Sequence, residues 1–513
     1  MRSARFPGKR FSFLRLGIFL AVVIIGGCAT YIGINFQLEN RKPTAEPWFG
    51  SYIDVTATPS YAFESQSSDS QGNVLLAFVV SRSSDDCAPT WGGAYSLAEA
   101  NQALDLDRRI AQVQRSGRSA VISFGGQAGV ELAQSCQTVG DLADAYSQVI
   151  SRYNVSTIDV DIEGDSLADS ESMLRRAQAI AQLQSASGTD TLNVWLTLPA
   201  DQNGLTNDGV AAVQTFLDQG VAISGVNLMT MDFGVQSSDT AVAALVEDAL
   251  SAGHSQLFRL FAANMTFHSS HQIWAMMGAT VMIGQSDVAG ESFTLADAGT
   301  ISTFALTNGL GRLSMWSANR DFECEANYSD WGSVADFCSG VSQEAGGFAS
   351  VLSYDFTGSA DDQIDGAQQV TPQTPNATED DPATSPYPIW SAEESYAVGS
   401  KVVWHRNVYI ALWGPNDGHQ PDEVTSGTSA AWRLVGPVLK GETPEPEPTV
   451  SAGTYAQWDT STAYGAGDRV MFDGVAFQAK WWTQGDSPTV QNDSDTSPWR
   501  ELTTQEIQEL TDN

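Results

Sequence analysis

The sequence predicts an α/β protein, a (β/α)8 TIM barrel followed by two small all-β modules. Three observations carry this reading. Residues 46–357 alternate short β-rich runs with stretches of helical periodicity. A segment rich in Asp, Thr, Pro and Ala then breaks all periodicity. Beyond it the chain repeats itself. For a chain of 513 residues about two to four domains are expected, which agrees.

The elements follow in order. Residues 1–40 open with the basic "MRSARFPGKRFSFLR" and continue in an apolar run, Leu16 to Phe36, broken clearly only by Thr30 and Asn35. A positive flank before such a run reads as a membrane anchor or a secretion signal. The run has about the ~20 residues that cross a bilayer, so an uncleaved anchor is expected first. "IIGGC" also looks like a lipoprotein cleavage box that would place a lipid on Cys28. Anchor, lipoprotein and cleaved signal all put the rest of the chain outside the cytoplasm, either membrane-anchored at the cell surface or secreted.

The barrel strands are expected at "SYIDVTA", "VLLAFVV", "AVISFGG", "STIDVDIE", "TLNVWLTL", "SGVNLMTMDF", "ATVMIG" and "RLSMWSA". Helical segments such as "SESMLRRAQAIAQLQSA" separate them, the signature of a parallel barrel. A doubly wound open sheet competes, but no Gly-rich phosphate turn follows the first strand. Residues 358–386 are expected to be an extended linker. Two copies of one unit follow at 387–437 and 454–503, with a second linker at 438–453. Trp390 matches Trp458, Tyr396 matches Tyr464, Val402 matches Val470 and Trp413 matches Trp481, all 68 residues apart.

Composition excludes one large class of function. The 61 Asp and Glu against 25 Lys and Arg leave no basic footprint for nucleic acid. Apart from Cys28 the chain has Cys87, Cys136, Cys324 and Cys338, an even set that suits an oxidising compartment. The short loop between Cys324 and Cys338 suggests the pairs Cys324–Cys338 and Cys87–Cys136. No CxxC or HxxxH spacing occurs, so no metal or other cofactor is expected.

The chemistry concentrates in "STIDVDIEGDSL". Side chains two apart on a strand share a face, so Asp159, Asp161 and Glu163 would line the barrel interior while Val160 and Ile162 face the helices. Acids so close cannot all ionise cheaply, and at least one pKa must rise. Glu163 falls at the C-terminal end of the strand, where barrel active sites lie, and Gly164 lets the chain turn away. On its own, DxDxE fits a solvated acidic strand end or a cation site as well as an active site.

Five motifs in order resemble glycoside hydrolase family 18, the chitinases. "IDVDIE" is similar to its catalytic DxxDxDxE strand, "SFGG" (Ser123–Gly126) to its third-strand SxGG, and "MTMDF" (Met229–Phe233) to its sixth-strand motif. "SMWSANRD" puts Trp316 where the family has its eighth-strand Trp, and "VMIGQSD", with Gln285, resembles bacterial members. The resemblance implies substrate-assisted catalysis. Glu163 would protonate the glycosidic oxygen, the substrate's own acetamide would attack the anomeric carbon, Asp161 would hold the acetamide, and Asp159 would hold Asp161. Asp232, Met229, Trp316 and Gln285 would bind substrate, with Trp316 as the floor under the reacting sugar. Ser156 replaces the first Asp of the motif, and Met231 stands where the family often has Tyr.

The tail units resemble carbohydrate-binding modules of families 5 and 12. Trp481 and Trp482 in "KWWTQG" carry that match, and as strand neighbours they are expected to point to opposite faces. In the first unit Trp413 is the corresponding candidate for sugar contact, but Gly414 stands where the second aromatic would be, which leaves this unit open as a binder or a spacer. The expectation is a monomeric chitinase, with chitin or a related N-acetylglucosamine polymer as partner. A catalytically inactive chitin-binding protein and an endo-β-N-acetylglucosaminidase acting on glycans or peptidoglycan are the alternatives.

Overall fold

The structure, a computed structural model, describes residues 46–65, 72–186, 192–236, 241–266, 268–325, 334–361, 380–414, 418–423, 430–444, 450, 453–488 and 497–502, with Leu16 and Ile507. The chain forms two compact units, Met1–Glu379 with Trp390–Leu439, and Asp380–Ile389 with Lys440–Asn513.

The first unit holds eight parallel strands, one at each expected run: β1 (Trp48–Asp54), β2 (Asn73–Ser81), β3 (Ala120–Gly125), β4 (Thr157–Asp161), β5 (Asn193–Asp201), β6 (Gly225–Met229), β7 (Met277–Met282) and β8 (Arg312–Trp316). Each pairs with its sequence neighbours, and β1 pairs with both β2 and β8, which closes the barrel. Outside lie α1 (Leu97–Leu104), α2 (Leu106–Arg115), α3 (Val139–Tyr153), α4 (Ser170–Ala186), α5 (Asn207–Asp218), α6 (Val242–Ala263) and α7 (Leu295–Asn308). Several of these helices begin at a side-chain cap: Ser96 with Glu99 at α1, Thr138 at α3, Thr206 at α5 and Thr294 with Asp297 at α7.

The main apolar core lies between strands and helices. Val160 and Ile162 are buried there, as their strand phase requires. The barrel interior is different, because aromatic and polar side chains share it. Trp48, Tyr52 and Trp195 surround the Arg312 guanidinium at 5.1, 5.6 and 5.4 Å from their ring centroids. Asn227 on β6 donates to Thr197 Oγ1 (3.1 Å) and Thr280 Oγ1 (2.8 Å), tying β5, β6 and β7 together inside.

The expected linker starts too early. Residues 357–361 close the N-terminal end of the barrel: Trp48 bridges Thr357, Asn73 donates to the Gly358 carbonyl, and Thr157 Oγ1 donates to the Ala360 carbonyl at 2.8 Å. This stretch is polar in sequence because its work is backbone hydrogen bonding rather than apolar burial. Ser156 lies at the same end and donates to Asp361 Oδ1 at 2.7 Å. An Asp at position 156 would set a second carboxylate against Asp361, and the serine hydroxyl is a donor instead.

Both expected disulfides form, Cys87–Cys136 and Cys324–Cys338, with Cα separations of 4.7 and 5.1 Å. The expected anchor lies outside the described residues except for Leu16. Among the described residues no helix is long and apolar enough to cross a membrane.

Each tail repeat builds a three-stranded antiparallel sheet. In the first unit it is β9 (Lys401–Trp404), β10 (Asn407–Ala411) and β11 (Trp432–Pro437); in the second it is β12 (Arg469–Phe472), β13 (Val475–Ala479) and β14 (Trp499–Glu501). The repeat extends to side chains. Tyr396 packs edge-on against Trp432 and Tyr464 against Trp499, both at 5.2 Å between centroids. The Trp432 and Trp499 indoles each donate to a backbone carbonyl at 2.8 Å.

Candidate active site

The C-terminal end of β4 carries the acids. Asp159 is fully buried and faces inward, and its carboxylate accepts hydrogen bonds from Tyr52 (2.9 Å), Ser123 (2.7 Å), Thr197 (2.6 Å) and Arg312 (2.7 Å). These donors come from β1, β3, β5 and β8, so one acid is held from across the barrel. Arg312 and Asp159 are an ion pair with both side chains 0% exposed. Tyr52 also accepts from Arg312 Nη2 at 2.8 Å, and burial keeps its phenol well above the usual value, so it remains a donor.

Asp161 sits one step nearer the mouth. It is buried, and its Oδ1 has no hydrogen-bond partner among the described residues. A buried carboxylate oxygen left free is costly unless something else meets it. Burial, then the Glu163 and Asp159 charges, holds its pKa well above the usual range. Glu163 lies just past the strand, half-buried, followed by Gly164 in the left-handed conformation (φ 53°). Its pKa is pushed up to about 7, mainly by burial and then by Glu131, Asp232 and Asp287. The expected crowding is therefore present, but it falls on Asp161 and Glu163, while Asp159 has its own cation.

The glycines of "SFGG" explain how β3 fits this site. A Cβ on Gly125 would stand 2.0 Å from the Asp161 carbonyl oxygen, and one on Gly126 would stand 2.8 Å from the Phe78 ring. Both adopt positive φ, and Gly126 N–H donates to the Asp161 carbonyl at 3.1 Å. Only residues without side chains let the third strand lie against the acid-bearing one.

The other expected site residues gather at the same end. Trp316 ends β8, half-buried, and stacks on Phe78 with centroids 5.6 Å apart and planes at 17°. Met229 ends β6, and the chain beyond it leaves the sheet. Asp232 takes the left-handed conformation there (φ 56°), exposed, and accepts a short hydrogen bond from Ser286. The buried Glu291 holds that loop by accepting from the backbone N–H groups of Phe233, Gly234 and Val235. Gln285 turns its side chain toward Gly340, where an added Cβ would be 2.4 Å from Oε1, and its neighbour Ser286 is the one that reaches Asp232.

Sequence reasoning missed Arg312, Tyr52, Thr197, Glu131 and Arg176. Glu131 is buried after β3 and paired with the buried Arg176 of α4. Its Oε1 has no partner among the described residues. The available signal was weak: an Arg opening a strand, and an acid in a loop beyond a glycine pair.

Comparison with known proteins follows the same lines. The chain is 34% identical over 301 residues to a probable bifunctional chitinase/lysozyme of Escherichia coli (strain K12), an alignment spanning 56% of this chain and 32% of that protein. It is 33% identical over 292 residues to endochitinase 11 of Metarhizium anisopliae, spanning 55% and 54% of the two. The solved catalytic domain of a hyperthermophilic chitinase from Pyrococcus furiosus aligns with a TM-score of 0.52 and 27% identity, covering 61% of this chain and 97% of that one. The barrel is thus similar to the catalytic domains of chitinases. The chain spans about half or less of the length of the curated relatives it matches.

In this barrel every expected catalytic side chain lies on β4 or directly after it, with the acid motif and SxGG in register across β3 and β4: Ser123 pairs with Asp159 and Gly125 with Asp161. Residues 457–500 match the model of carbohydrate-binding module family 5/12. Within that module β13 stops at Ala479, so Trp481 and Trp482 are not strand neighbours, and strand alternation does not part them. Both are exposed, 43% and 65%, where strand neighbours on opposite faces were expected. Trp413 of the first repeat is half-buried, edge-on to His419 at 5.2 Å.

Proposed function

We propose that this chain is a chitinase that hydrolyses β-1,4 linkages of N-acetylglucosamine polymers with retention of anomeric configuration. The observation that carries the reading is the pair of strained acids: Glu163, with a pKa near neutrality, beside Asp161, whose buried Oδ1 lacks a partner. Glu163 donates its proton to the glycosidic oxygen as the bond to the anomeric carbon breaks. The substrate's acetamide carbonyl oxygen forms a bond to that carbon from the opposite face. Asp161 Oδ1 accepts from the acetamide N–H and balances the positive oxazolinium ion. Water, losing a proton to Glu163, then opens the ring on the face the leaving group occupied. Trp316 lies under the sugar, and Asp159 with Arg312 fixes the strand.

The pH profile tests the acid. Glu163 acts protonated, and its pKa is about 7, so kcat/KM on soluble oligosaccharides holds below neutrality and falls about tenfold per unit above it. The charge of Glu131 raises the Glu163 pKa, so Glu131→Gln moves the alkaline limb to lower pH. An alkaline limb that stays in place in the variant overturns the Glu131 coupling.

Two adjacent exposed Trp rings on the second module support polymer binding through stacking on pyranose faces. Trp481→Ala with Trp482→Ala lowers retention on insoluble chitin at least about tenfold, with turnover of short soluble oligosaccharides unchanged. Equal retention of variant and wild type rules these rings out. Two disulfides support an extracytoplasmic site of action, at the cell surface or secreted.

A further inference from the structure

The two tail repeats share a fold, and the first one packs on the barrel within its own unit. Lys401 pairs with Asp105 at 2.6 Å, between α1 and α2. Arg108 of α2 donates to the Pro437 carbonyl at 2.7 Å, and Arg115 donates to Asn407 Oδ1 at 2.5 Å. Gly436 comes so close that a Cβ there would lie 2.5 Å from the Arg108 carbonyl oxygen. The most buried contact is at Glu64, whose side chain is 0% exposed. Glu64 Oε2 accepts from Arg109 of α2 at 2.8 Å, while Oε1 pairs with Arg433 of β11. The buried Glu64 carboxylate is thus paired from both sides of the contact, Oε2 from the barrel and Oε1 from the repeat.

The second repeat uses the same positions internally. Arg469, the counterpart of Lys401, donates to Tyr455 at 3.1 Å, and Arg500, the counterpart of Arg433, donates to Gln478 at 2.8 Å. The counterpart of Asn407 is Val475, which cannot accept a side-chain hydrogen bond. The exchange runs the other way at the sugar face, where Gly414 in the first repeat stands for the exposed Trp482 of the second.

We propose that residues 390–439 are a fixed part of the catalytic unit: a carbohydrate-module fold clamped onto α2 and the 57–65 loop, with polymer retention left to the second module. The clamp has a place to act. The loop it holds through Glu64 supplies Tyr61 and its neighbours to the wall of a cavity of about 550 Å3, completed by Asp54 at the end of β1, Asn319 beyond Trp316, and Phe322 and Phe337. The docked repeat therefore steadies one wall of the C-terminal face of the barrel. The retention part of this proposal rests on the chitin reading, and the docking part does not.

Hydrogen exchange on the full-length chain tests the docking from both sides. Arg433→Ala with Lys401→Ala speeds exchange of the amides in 57–65 and α2 by about tenfold or more, with β4 protection unchanged. Arg115→Ala, made on the barrel, speeds exchange in β9 and β10. Loosening that crosses the contact in both directions is expected only of a docked repeat, and loosening confined to the mutated side overturns the docking. In a chitin-retention assay Trp413→Ala behaves as wild type. If it loses retention while Trp481→Ala/Trp482→Ala keeps it, the first repeat is the anchor and the division of labour is wrong. A wild-type chain that is not retained on chitin at all overturns the substrate reading, and exchange still decides the docking.

Discussion

Glu163→Gln lowers kcat on N-acetylglucosamine oligosaccharides by about 10²- to 10⁴-fold, the range a positioned general acid supplies, and leaves KM within about threefold. The amide has nearly the shape of the acid but no proton to give. Since Glu163 lies past the strand and half-buried, the loss of charge disturbs little packing. Initial rates with a soluble tetrasaccharide separate the two parameters. A fall in binding with kcat preserved would make Glu163 a binding group instead. The variant also removes the alkaline limb near pH 7, because that limb is the ionisation of Glu163 itself.

Arg312→Leu destabilises the barrel by about 3–5 kcal/mol, as expected when one member of a fully buried ion pair is removed. The loss has three parts. Asp159 keeps its three hydroxyl donors but no cation, the Tyr52 hydroxyl loses a donor, and three aromatic rings lose the guanidinium between them. Urea unfolding monitored on the barrel transition measures this. Arg312→Lys is expected to recover only part of it, because an ammonium cannot reach both Asp159 and Tyr52 in the fork geometry of the guanidinium. Unchanged stability in Arg312→Leu would mean that the inner network does not hold the fold.

The parts of this molecule that were legible in the sequence are those written locally. Eight β-rich runs at helix-sized intervals mark the barrel, and all eight became strands. Strand periodicity put Asp159 inside and Val160 outside, and the structure agrees. What was not legible joins residues far apart. Arg312 reads as a polar start to a strand until the barrel closes and brings it 2.7 Å from Asp159, 153 positions earlier. That contact changes the account of the acids, because it gives Asp159 a cation and leaves Asp161 and Glu163 to share the crowding. Glu131 was hidden in the same way, since its partner Arg176 lies on a later helix. Trp481 and Trp482 show the opposite failure. The period-two rule was applied where the strand had already ended at Ala479, so two rings expected on opposite faces are both exposed. The contacts of the first repeat with α2 could not be read locally, because Arg433 and Glu64 are 369 positions apart.

The central claim is that Glu163 and Asp161 serve substrate-assisted cleavage, and its stereochemistry is the most direct test. Proton NMR of a soluble N-acetylglucosamine oligosaccharide, recorded within the first minutes of hydrolysis by the full-length protein, reads the anomer released before mutarotation. The account predicts the β-anomer at the new reducing end, formed by wild type and absent with Glu163→Gln. Initial release of the α-anomer would contradict it, because that product requires direct attack by water rather than by the substrate's own acetamide.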